Sequence, residues 1–288
     1  MRRVLVIGAA AKDTIVQGST SGRKRKMGGV VVYGGITFRR MGVATSVVTN
    51  VASEDRGFRD LFARESIDCR IGPSSCTTTF VEHLDGDERA LSLDGVAAPI
   101  TARQVSDALE GVDLVHLGPL HPGDLDDGVL DLLGRRGLPV SLDLQGYVRQ
   151  LEDGQTSHRA SPSLAPALAL ASIVKAGREE AAEVMRATGR TLRDVVADFG
   201  IAECVVTAGR HGGRVLCAAG DEVEYAAAPP AAEGDPTGAG DVFFATYLVS
   251  RLRDGLSVPL SCARAAATAS RQVAGAHIDE DTLALPGP

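Results

Sequence analysis

A short stretch near the end of the chain, Asp235-Pro-Thr-Gly-Ala-Gly-Asp241, places two carboxylates around small residues, directly before an apolar segment. The apolar residues that follow recur at helical spacing, which predicts that a helix starts at Ala239. Backbone N–H groups at a helix start have no intrahelical acceptor and lie at the positive end of the helix dipole. Gly238, Ala239 and Gly240 are therefore predicted to form an anion hole for phosphate oxygens. Asp241, in the first turn, would accept the proton of a hydroxyl that attacks the phosphate.

An ordinary helix start would also contain a glycine turn and an aspartate that favours the helix dipole, and a bare Gly-x-Gly is common. The full stretch is far more specific than that. Asp235 precedes Asp241 by six residues, small or turn-forming residues lie between them, and the apolar helix follows at once. We therefore interpret the stretch as a phosphoryl-transfer site.

Further candidates follow two other predicted strands. Asp143-Leu-Gln-Gly-Tyr-Val-Arg149 begins at the C-terminal end of a buried strand, where open α/β sheets bind ligands. Asp143, Gln145 and Arg149 are therefore candidates for the site, and Gln145 and Arg149 are predicted to bind substrate. The alternative is a surface loop in which Asp143 and Arg149 form an ion pair. Lys175 ends another strand and is predicted to reach a phosphate, although a lysine there could simply be exposed.

Composition excludes several other classes of protein. The chain has 288 residues, 44% of them hydrophobic, and a net charge of −7, so it has no extended positive surface for nucleic acid. The one basic cluster, Arg23-Lys-Arg-Lys26, is interpreted as a solvated loop. No apolar run is long enough for a membrane span and the first residues do not resemble a signal peptide, so we expect a cytoplasmic protein with reduced cysteines.

Strand-like and helix-like segments alternate along most of the chain. This alternation predicts a mainly parallel sheet with helices on both faces. The predicted strands are residues 3–8, 45–51, 114–117, 139–143, 172–175 and 203–207. The predicted helices are residues 30–41, 57–65, 102–109, 124–133, 178–187, 192–199, 239–253 and 259–273.

Two segments interrupt this alternation. Residues 78–84 and 88–93 alternate apolar and polar side chains around Asp85-Gly86, which predicts a β-hairpin. A half-polar hairpin does not belong in a buried parallel sheet, so it would either form a lid, joined by the extended segment 14–20, or lie on the surface without a function. Residues 154–166 are predicted to be a surface loop or an irregular helix start.

The stretch from Asp235 to Asp241 resembles the C-terminal signature of the ribokinase (PfkB) family of carbohydrate and nucleoside kinases, and three further landmarks occur in the same order as in that family. These landmarks are Gly8 followed by Asp13, Gly28-Gly29 followed by Gly42, and Thr207-Ala-Gly209-Arg-His-Gly212. The resemblance spans the chain. It implies a single ribokinase-like domain of residues 1–288, a three-layer α/β/α sandwich with a small β lid from about residues 13–27 and 76–98. In many members the lid doubles as a dimer interface, so a homodimer is expected.

The resemblance also implies roles for individual residues. Asp241 would be the catalytic base, and the anion hole would bind the γ-phosphate of ATP. The residues that would approach the nucleotide are Thr207, Gly209 and Gly212. The residues that would hold substrate hydroxyls are Asp13, Gly28 and Gly29. Asp235 and Thr237 would bind the monovalent cation, K⁺, that many members use, and Mg²⁺ would arrive with ATP.

The chain departs from the family pattern at two positions. Tyr33 replaces the asparagine that commonly contacts a sugar hydroxyl, and it could stack on a substrate ring, donate from its phenol or pack under the lid. The Asn-x-x-Glu element that positions magnesium-bound water resembles Gly177-Arg-Glu-Glu180, in which only Glu180 is retained. The acceptor half of the site is therefore expected to differ from that of the better-matched family members.

These observations favour an ATP-dependent kinase that phosphorylates a hydroxyl of a small sugar, polyol or cyclitol. A nucleoside kinase of the same family is the second hypothesis, and a catalytically inactive, ligand-sensing homologue is the third. A dinucleotide-dependent oxidoreductase is poorly supported, because Gly8-Ala-Ala-Ala11 lacks the Gly-x-Gly-x-x-Gly turn. Neither nucleic acid nor a membrane is an expected partner.

Overall fold

The computed structural model describes residues 1–17, 22–85, 88–152, 155–232 and 234–285. The strands in these ranges are β1 (Arg3–Gly8), β2 (Ala11–Gln17), β3 (Gly22–Gly28), β4 (Ala44–Ala52), β5 (Asp68–Ser74), β6 (Thr78–Asp85), β7 (Glu88–Gly95), β8 (Leu114–Gly118), β9 (Val140–Asp143), β10 (Arg149–Glu152), β11 (Gln155–His158), β12 (Ile173–Gly177), β13 (Glu203–Thr207), β14 (Gly213–Cys217) and β15 (Glu222–Tyr225).

The α-helices lie between these strands and at the C-terminal end. They are α1 (Val30–Arg40), α2 (Gly57–Arg64), α3 (Ala102–Ser106), α4 (Asp127–Arg136), α5 (Gln145–Val148), α6 (Leu164–Leu170), α7 (Arg178–Thr188), α8 (Leu192–Asp198), α9 (Ala239–Leu252), α10 (Val258–Val273) and α11 (Glu280–Leu283). Among the described residues, no helix combines the length and apolar character that a membrane crossing requires.

The large sheet has the strand order β15-β14-β13-β12-β9-β8-β1-β4-β5. Its seven strands from β13 to β5 are parallel to one another, and β14 and β15 extend the sheet antiparallel at one edge. Because the parallel strands run in one direction, their C-terminal ends lie at one edge of the sheet, where open α/β sheets bind ligands.

Helices cover both faces of this sheet, as its continuous apolar strands require. In β1, Val4 and Val6 belong to one buried apolar cluster and Leu5 and Ile7 to the other. The first cluster includes side chains of α1, α2, α9 and α10, and the second includes side chains of α3, α4, α6, α7 and α8. The predicted ribokinase-like three-layer fold is thereby confirmed.

A second, smaller sheet has the strand order β10-β11-β7-β6-β2-β3. Its pairs are antiparallel except for β2 with β6, and β6 with β7 forms the predicted hairpin, whose turn residue Gly86 lies outside the described residues. This sheet is consistent with the expected lid. It also contains β10 and β11. Residues 154–166 were predicted to be a surface loop or an irregular helix start. The described part, 155–166, contains strand β11 and the start of α6, which are joined by residues 159–163.

The predicted elements differ from the observed ones in a few other places. Helix α4 begins at Asp127, three residues later than predicted, because the Asp124 carboxylate instead accepts the N–H groups of Leu120 and His121 in the preceding turn. The basic cluster at 23–26 lies in β3, not in a loop, and Lys26 is buried. The extended segment predicted at 14–20 is β2, although residues 18–20 lie outside the described residues.

Candidate active site

The first turn of α9 presents unpaired backbone donors, as the sequence predicts. Its N-cap Gly238 has φ 75°, and the Val242 N–H donates to the Gly238 carbonyl. Among the described residues, the N–H groups of Gly238, Gly240 and Asp241 have no acceptor, whereas the Ala239 N–H donates to the Pro236 carbonyl. The donors available to an anion are therefore those of Gly238, Gly240 and Asp241.

Tyr33 packs beneath this turn. A Cβ atom at Gly238 would lie 2.3 Å from the Tyr33 ring, so both the left-handed backbone and the close contact require glycine there. The Tyr33 side chain is buried, and its buried hydroxyl has no hydrogen-bond partner among the described residues. Of the roles considered for Tyr33, packing is the one that the ring has here, against the start of α9.

Asp241 lies in the first turn of α9, and its surroundings strongly shift the pKa of its carboxyl group. Burial raises the pKa of its carboxyl group to about 7, and the negative charges of Asp143, Glu180 and Asp13 act in the same direction, while Lys175 opposes them. A carboxylate whose pKa lies near neutral pH is suited to accept a proton from an alcohol as that alcohol becomes a nucleophile.

A buried ion pair lies directly behind the turn. Lys175 in the middle of β12, two residues before the end of that strand, donates to Asp143 at the end of β9 over 2.8 Å, and both side chains are almost fully buried. Burial lowers the pKa of Lys175, but the charges of Asp143, Glu180 and Asp241 outweigh this and raise it. A Cβ at Gly240 would lie 3.4 Å from the Lys175 ammonium, so a positive charge lies next to the backbone of the predicted anion hole.

A cavity of ≈ 260 Å³ opens on the Asp241 side of the turn. It lies between the small sheet, α1 and α5. The residues that line it are Asp13, Thr14, Lys26, Gly29, Tyr33, Phe80, Leu120, Gln145, Arg149, Thr237, Gly238 and Asp241. Most of the residues predicted to bind substrate therefore lie together around the predicted base.

Asp13 and Arg149 are the polar groups best placed to orient a ligand in this cavity. A Cβ at Gly28 would lie 2.2 Å from the Asp13 carboxylate, so Gly28 gives that side chain its space. The Arg149 guanidinium lies 5.3 Å from the centre of the Phe80 ring, and the Gln145 amide oxygen can accept from it at 3.0 Å. Arg149 therefore does not pair with Asp143, which was the alternative considered from sequence.

A second cavity, of ≈ 580 Å³, lies on the other side of the same turn. Thr207, Gly209 and Gly212 line it together, next to Ala239 and Gly240. Its remaining wall is mainly apolar, with Arg210 and Ser270 as the polar members, and the apolar residues are Tyr225, Ala227, Ala228, Pro229, Pro230, Pro236, Phe243, Ala266, Ala269 and Val273. Lys175, predicted to contact the nucleotide, does not line this cavity.

Three further residues, Glu180, Asp235 and Thr237, were expected to hold metal ions. Glu180 caps α7, since its Oε2 accepts from the Gly177 N–H at 2.6 Å, and its other oxygen has no hydrogen-bond partner among the described residues. That oxygen fits an indirect, water-mediated contact with Mg²⁺ on donor phosphates. No cluster of three or more His, Cys, Asp or Glu that could bind a metal directly occurs within the described ranges.

Asp235 holds the start of the turn in place. Its Oδ1 accepts from the Thr237 N–H at 2.9 Å and from the Thr237 hydroxyl at 2.5 Å, while its Oδ2 forms an ion pair with Lys26. Burial raises the pKa of Asp235, but these hydrogen bonds outweigh it and hold the pKa below its ordinary value.

The sequence of residues 36–281 matches the family model described as pfkB family carbohydrate kinase. The chain belongs to the pfkB family. This pfkB family member has no significant match among curated protein sequences.

The solved structures similar to this pfkB family member include a pyrophosphate-dependent kinase of the ribokinase family in complex with sulfate. It is 27% identical, with 94% of this chain and 95% of that chain covered and a TM-score of 0.81. A structure of such a kinase with a pyrophosphate analogue and myo-inositol is 26% identical, with the same coverage and TM-score. The nucleoside kinase of Burkholderia thailandensis with inosine is 18% identical, covers 98% of this chain and 93% of that chain, and has a TM-score of 0.77, so it shows a shared fold alone.

Sequence reasoning did not find several contacts of this pfkB family site. The sequence placed Lys26 in a solvated loop and Phe80 only in a hairpin, and the one partner considered for Asp143 was Arg149, in the alternative of a surface loop. No local pattern in residues 22–28 indicates a strand, because they are mostly basic, and the position of Lys26 depends on the pairing of β3 with β2. The pairing of Asp143 with Lys175 depends on the register of β9 against β12, which places these two residues side by side.

Proposed function

We propose that the protein is an ATP-dependent kinase that transfers the γ-phosphate to a hydroxyl of a small polyol, sugar or cyclitol, with Asp241 as general base. One observation carries this proposal. The start of α9 separates a small polar cavity from a larger apolar one, with unpaired N–H donors between them and Asp241 on the polar side. A phosphoryl group bound at this turn is within reach of ligands on both sides.

The chemistry follows from this arrangement. The acceptor hydroxyl gives its proton to Asp241, its oxygen attacks the γ-phosphorus, and the bond from that phosphorus to the oxygen of ADP breaks. Negative charge on the transferring oxygens is stabilised by the N–H groups of Gly238, Gly240 and Asp241 and by the Lys175 ammonium behind them. Mg²⁺, carried on the donor phosphates and contacted through water by Glu180, would neutralise part of the donor's charge.

The larger cavity supports a nucleotide as the donor. Its volume falls within the roughly 300–1,000 Å³ that is usual for small-molecule sites, and its apolar wall suits the face of an adenine ring. Pyrophosphate has no apolar part, so it would leave that wall without a role. The similarity to pyrophosphate-dependent kinases nevertheless makes the donor the first property to measure.

The smaller cavity supports an acceptor with a single ring. At ≈ 260 Å³ it lies just below the range of about 300–1,000 Å³ typical of ligand pockets, and Asp13 and Arg149 offer an acceptor and donors for adjacent hydroxyls. A cyclitol or monosaccharide suits this space and polarity better than a two-ring nucleoside. The similar kinase that binds myo-inositol is a further reason to place cyclitols first.

The experiment is a product-release assay with ATP or pyrophosphate as donor, over a panel of cyclitols, hexoses, pentoses and nucleosides. We expect ADP release with ATP and a cyclitol or monosaccharide. Ala269→Phe, which narrows the larger cavity, should raise the KM for ATP, whereas Ala267→Phe on the exposed side of the same helix should not. Turnover with pyrophosphate but not ATP would refute the donor assignment, and turnover with nucleosides alone would refute the acceptor assignment.

A further inference from the structure

The Asp235 side chain has a partner at each oxygen. Oδ1 accepts from the backbone and the hydroxyl of Thr237, which fixes the first residues of the anion-hole turn. Oδ2 is paired with the ammonium group of Lys26, which lies in the small sheet, 209 positions away in the sequence. Asp235 therefore connects the small sheet to the turn that carries the catalytic donors.

Lys26 is held firmly at this point. Its backbone pairs with Asp13 of β2 on one side and with Ala284 of the C-terminal segment on the other. Its side chain is only 10% exposed, so the ammonium has exchanged most of its water for protein contacts. A buried ammonium next to a carboxylate is strongly favoured to stay paired with it, because separating them would leave an isolated buried charge.

This pairing bears on the monovalent cation that the family resemblance implies at Asp235 and Thr237. A hard cation requires several oxygen ligands, and a carboxylate is the strongest of these. Here one carboxylate oxygen is taken by Thr237 and the other by a fixed positive charge. The side chains present at Asp235 and Thr237 therefore do not fit a free cation, since it would have to displace Lys26 or lie beside it.

We propose that Lys26 is a positioning residue that supplies this positive charge from within the chain, so that the anion-hole turn is ordered without K⁺. The Lys26 ammonium neutralises Asp235, Asp235 holds Thr237, and Thr237 leads directly into the donors at Gly238 and Gly240. The proposal rests on the proposed kinase function for its kinetic consequences only. Its structural consequence, the response of the folded protein to K⁺, is independent of any reaction.

The kinetic test compares the wild type with Lys26→Met in KCl, NH₄Cl and choline chloride at equal ionic strength. The wild type should have the same kcat in all three salts. Lys26→Met should lose about tenfold to a hundredfold in kcat in choline chloride, as expected when reacting groups are misplaced by up to an ångström, and should regain part of that loss in KCl or NH₄Cl. The control is Lys12→Met, which removes another partly buried lysine of the small sheet. Lys12 forms an ion pair with Asp55 over 2.8 Å, and this pair lies away from the turn.

A second test uses no substrate. The melting temperature of Lys26→Met should rise in KCl relative to choline chloride, whereas those of the wild type and of Lys12→Met should not. Lys26→Met with Asp235→Asn should lose the response to K⁺, because the charge that attracts the cation is gone.

Several results would overturn the proposal. The first is a wild type that needs K⁺ for turnover. The second is a Lys26→Met variant whose only defect is a higher KM for the acceptor. The third is an equal change in the melting temperature of the wild type and of Lys26→Met when K⁺ is added. If the wild type turns over none of the donors and acceptors tested, the kinase proposal fails, and the melting experiment alone decides the role of Lys26.

Discussion

At the scale of single residues, the properties of Asp241 follow from what surrounds its carboxyl group. It shares a small volume with three other carboxylates and with Lys175, and burial removes water that would stabilise its charge. Its pKa of about 7 is therefore a compromise between burial and like charges on one side and one ammonium on the other. Two predictions belong to this residue.

Asp241→Asn should remove the proton acceptor while leaving the donor-binding surfaces intact. We expect kcat to fall by at least about a hundredfold, the lower end of the effect of a general base, with ATP binding largely unchanged by calorimetry. The variant should melt no lower than the wild type above pH 7, because burial disfavours the charged form that Asn cannot adopt. Near-normal turnover would exclude Asp241 as the base.

The pH dependence of turnover should report the same carboxyl group. A base must be deprotonated to act, so kcat/KM should be constant above pH 7 and fall about tenfold per pH unit well below it. Lys175 lowers the pKa of Asp241, and Lys175→Met should therefore move the profile to higher pH. A wild-type profile that is flat from pH 5 to 8 would contradict this assignment.

At the scale of elements, the site depends on the end of β9 lying next to the middle of β12 beneath the start of α9. The two strands are parallel, with Lys175 opposite Asp143, so the ion pair forms at the edge of the sheet where the phosphate is expected. Both side chains are almost fully buried, so water cannot take the place of either partner. Removing one partner should therefore be more harmful than removing both.

Lys175→Met should destabilise the protein by about 3–5 kcal/mol, the usual cost of leaving a buried charge unpaired. The double variant Lys175→Met with Asp143→Leu should recover much of this loss, as measured by urea unfolding. Arg193→Met is the control, because its ion pair with Glu222 is largely exposed and should contribute at most about 1 kcal/mol. A double variant no more stable than the single one would show that the pair itself is not the cause.

The boundaries of elements could be predicted where the local pattern is strong. Strands β1 and β13 and the start of α9 occur at the predicted residues, because continuous apolar runs and a glycine-rich helix start are local signals. Strand β3 was missed because its residues are mostly basic and have no strand-like pattern. They form a strand because their backbone pairs with that of β2. Strands β14 and β15 were missed because they are short and extend the sheet from its edge.

At the scale of the whole molecule, one buried group links stability to pH. His116 lies in the core between Phe38 and Phe244, with Nδ1 3.0 Å from the Ser141 hydroxyl, and its Nε2 has no partner in the part of the chain that the structure describes. Burial lowers its pKa to about 4. The unfolded chain takes up a proton below pH 6.5, whereas the folded protein does so only near pH 4. Stability from this histidine is therefore fully present above pH 6.5 and is lost as the pH falls towards 4.

The wild type should consequently lose roughly 2 kcal/mol of unfolding free energy between pH 7.5 and pH 5 relative to His116→Gln, which has no such titration. Asp241 acts in the opposite direction, since its raised pKa favours the folded state as the pH falls below 7. The measurement is therefore the difference between the two proteins in urea unfolding at each pH. An equal pH response of both proteins would refute the role of His116.

The sequence by itself determined the family, six strands of the large sheet and the stretch predicted to form the anion hole, because these depend on residues close together in the chain. Only the tertiary structure decided which charges meet. Asp143 pairs with Lys175, 32 positions away, and Asp235 pairs with Lys26, 209 positions away. Such contacts depend on strand register and on how the small sheet meets the large one, since a buried charge takes the partner that folding brings within reach, whatever their separation in sequence.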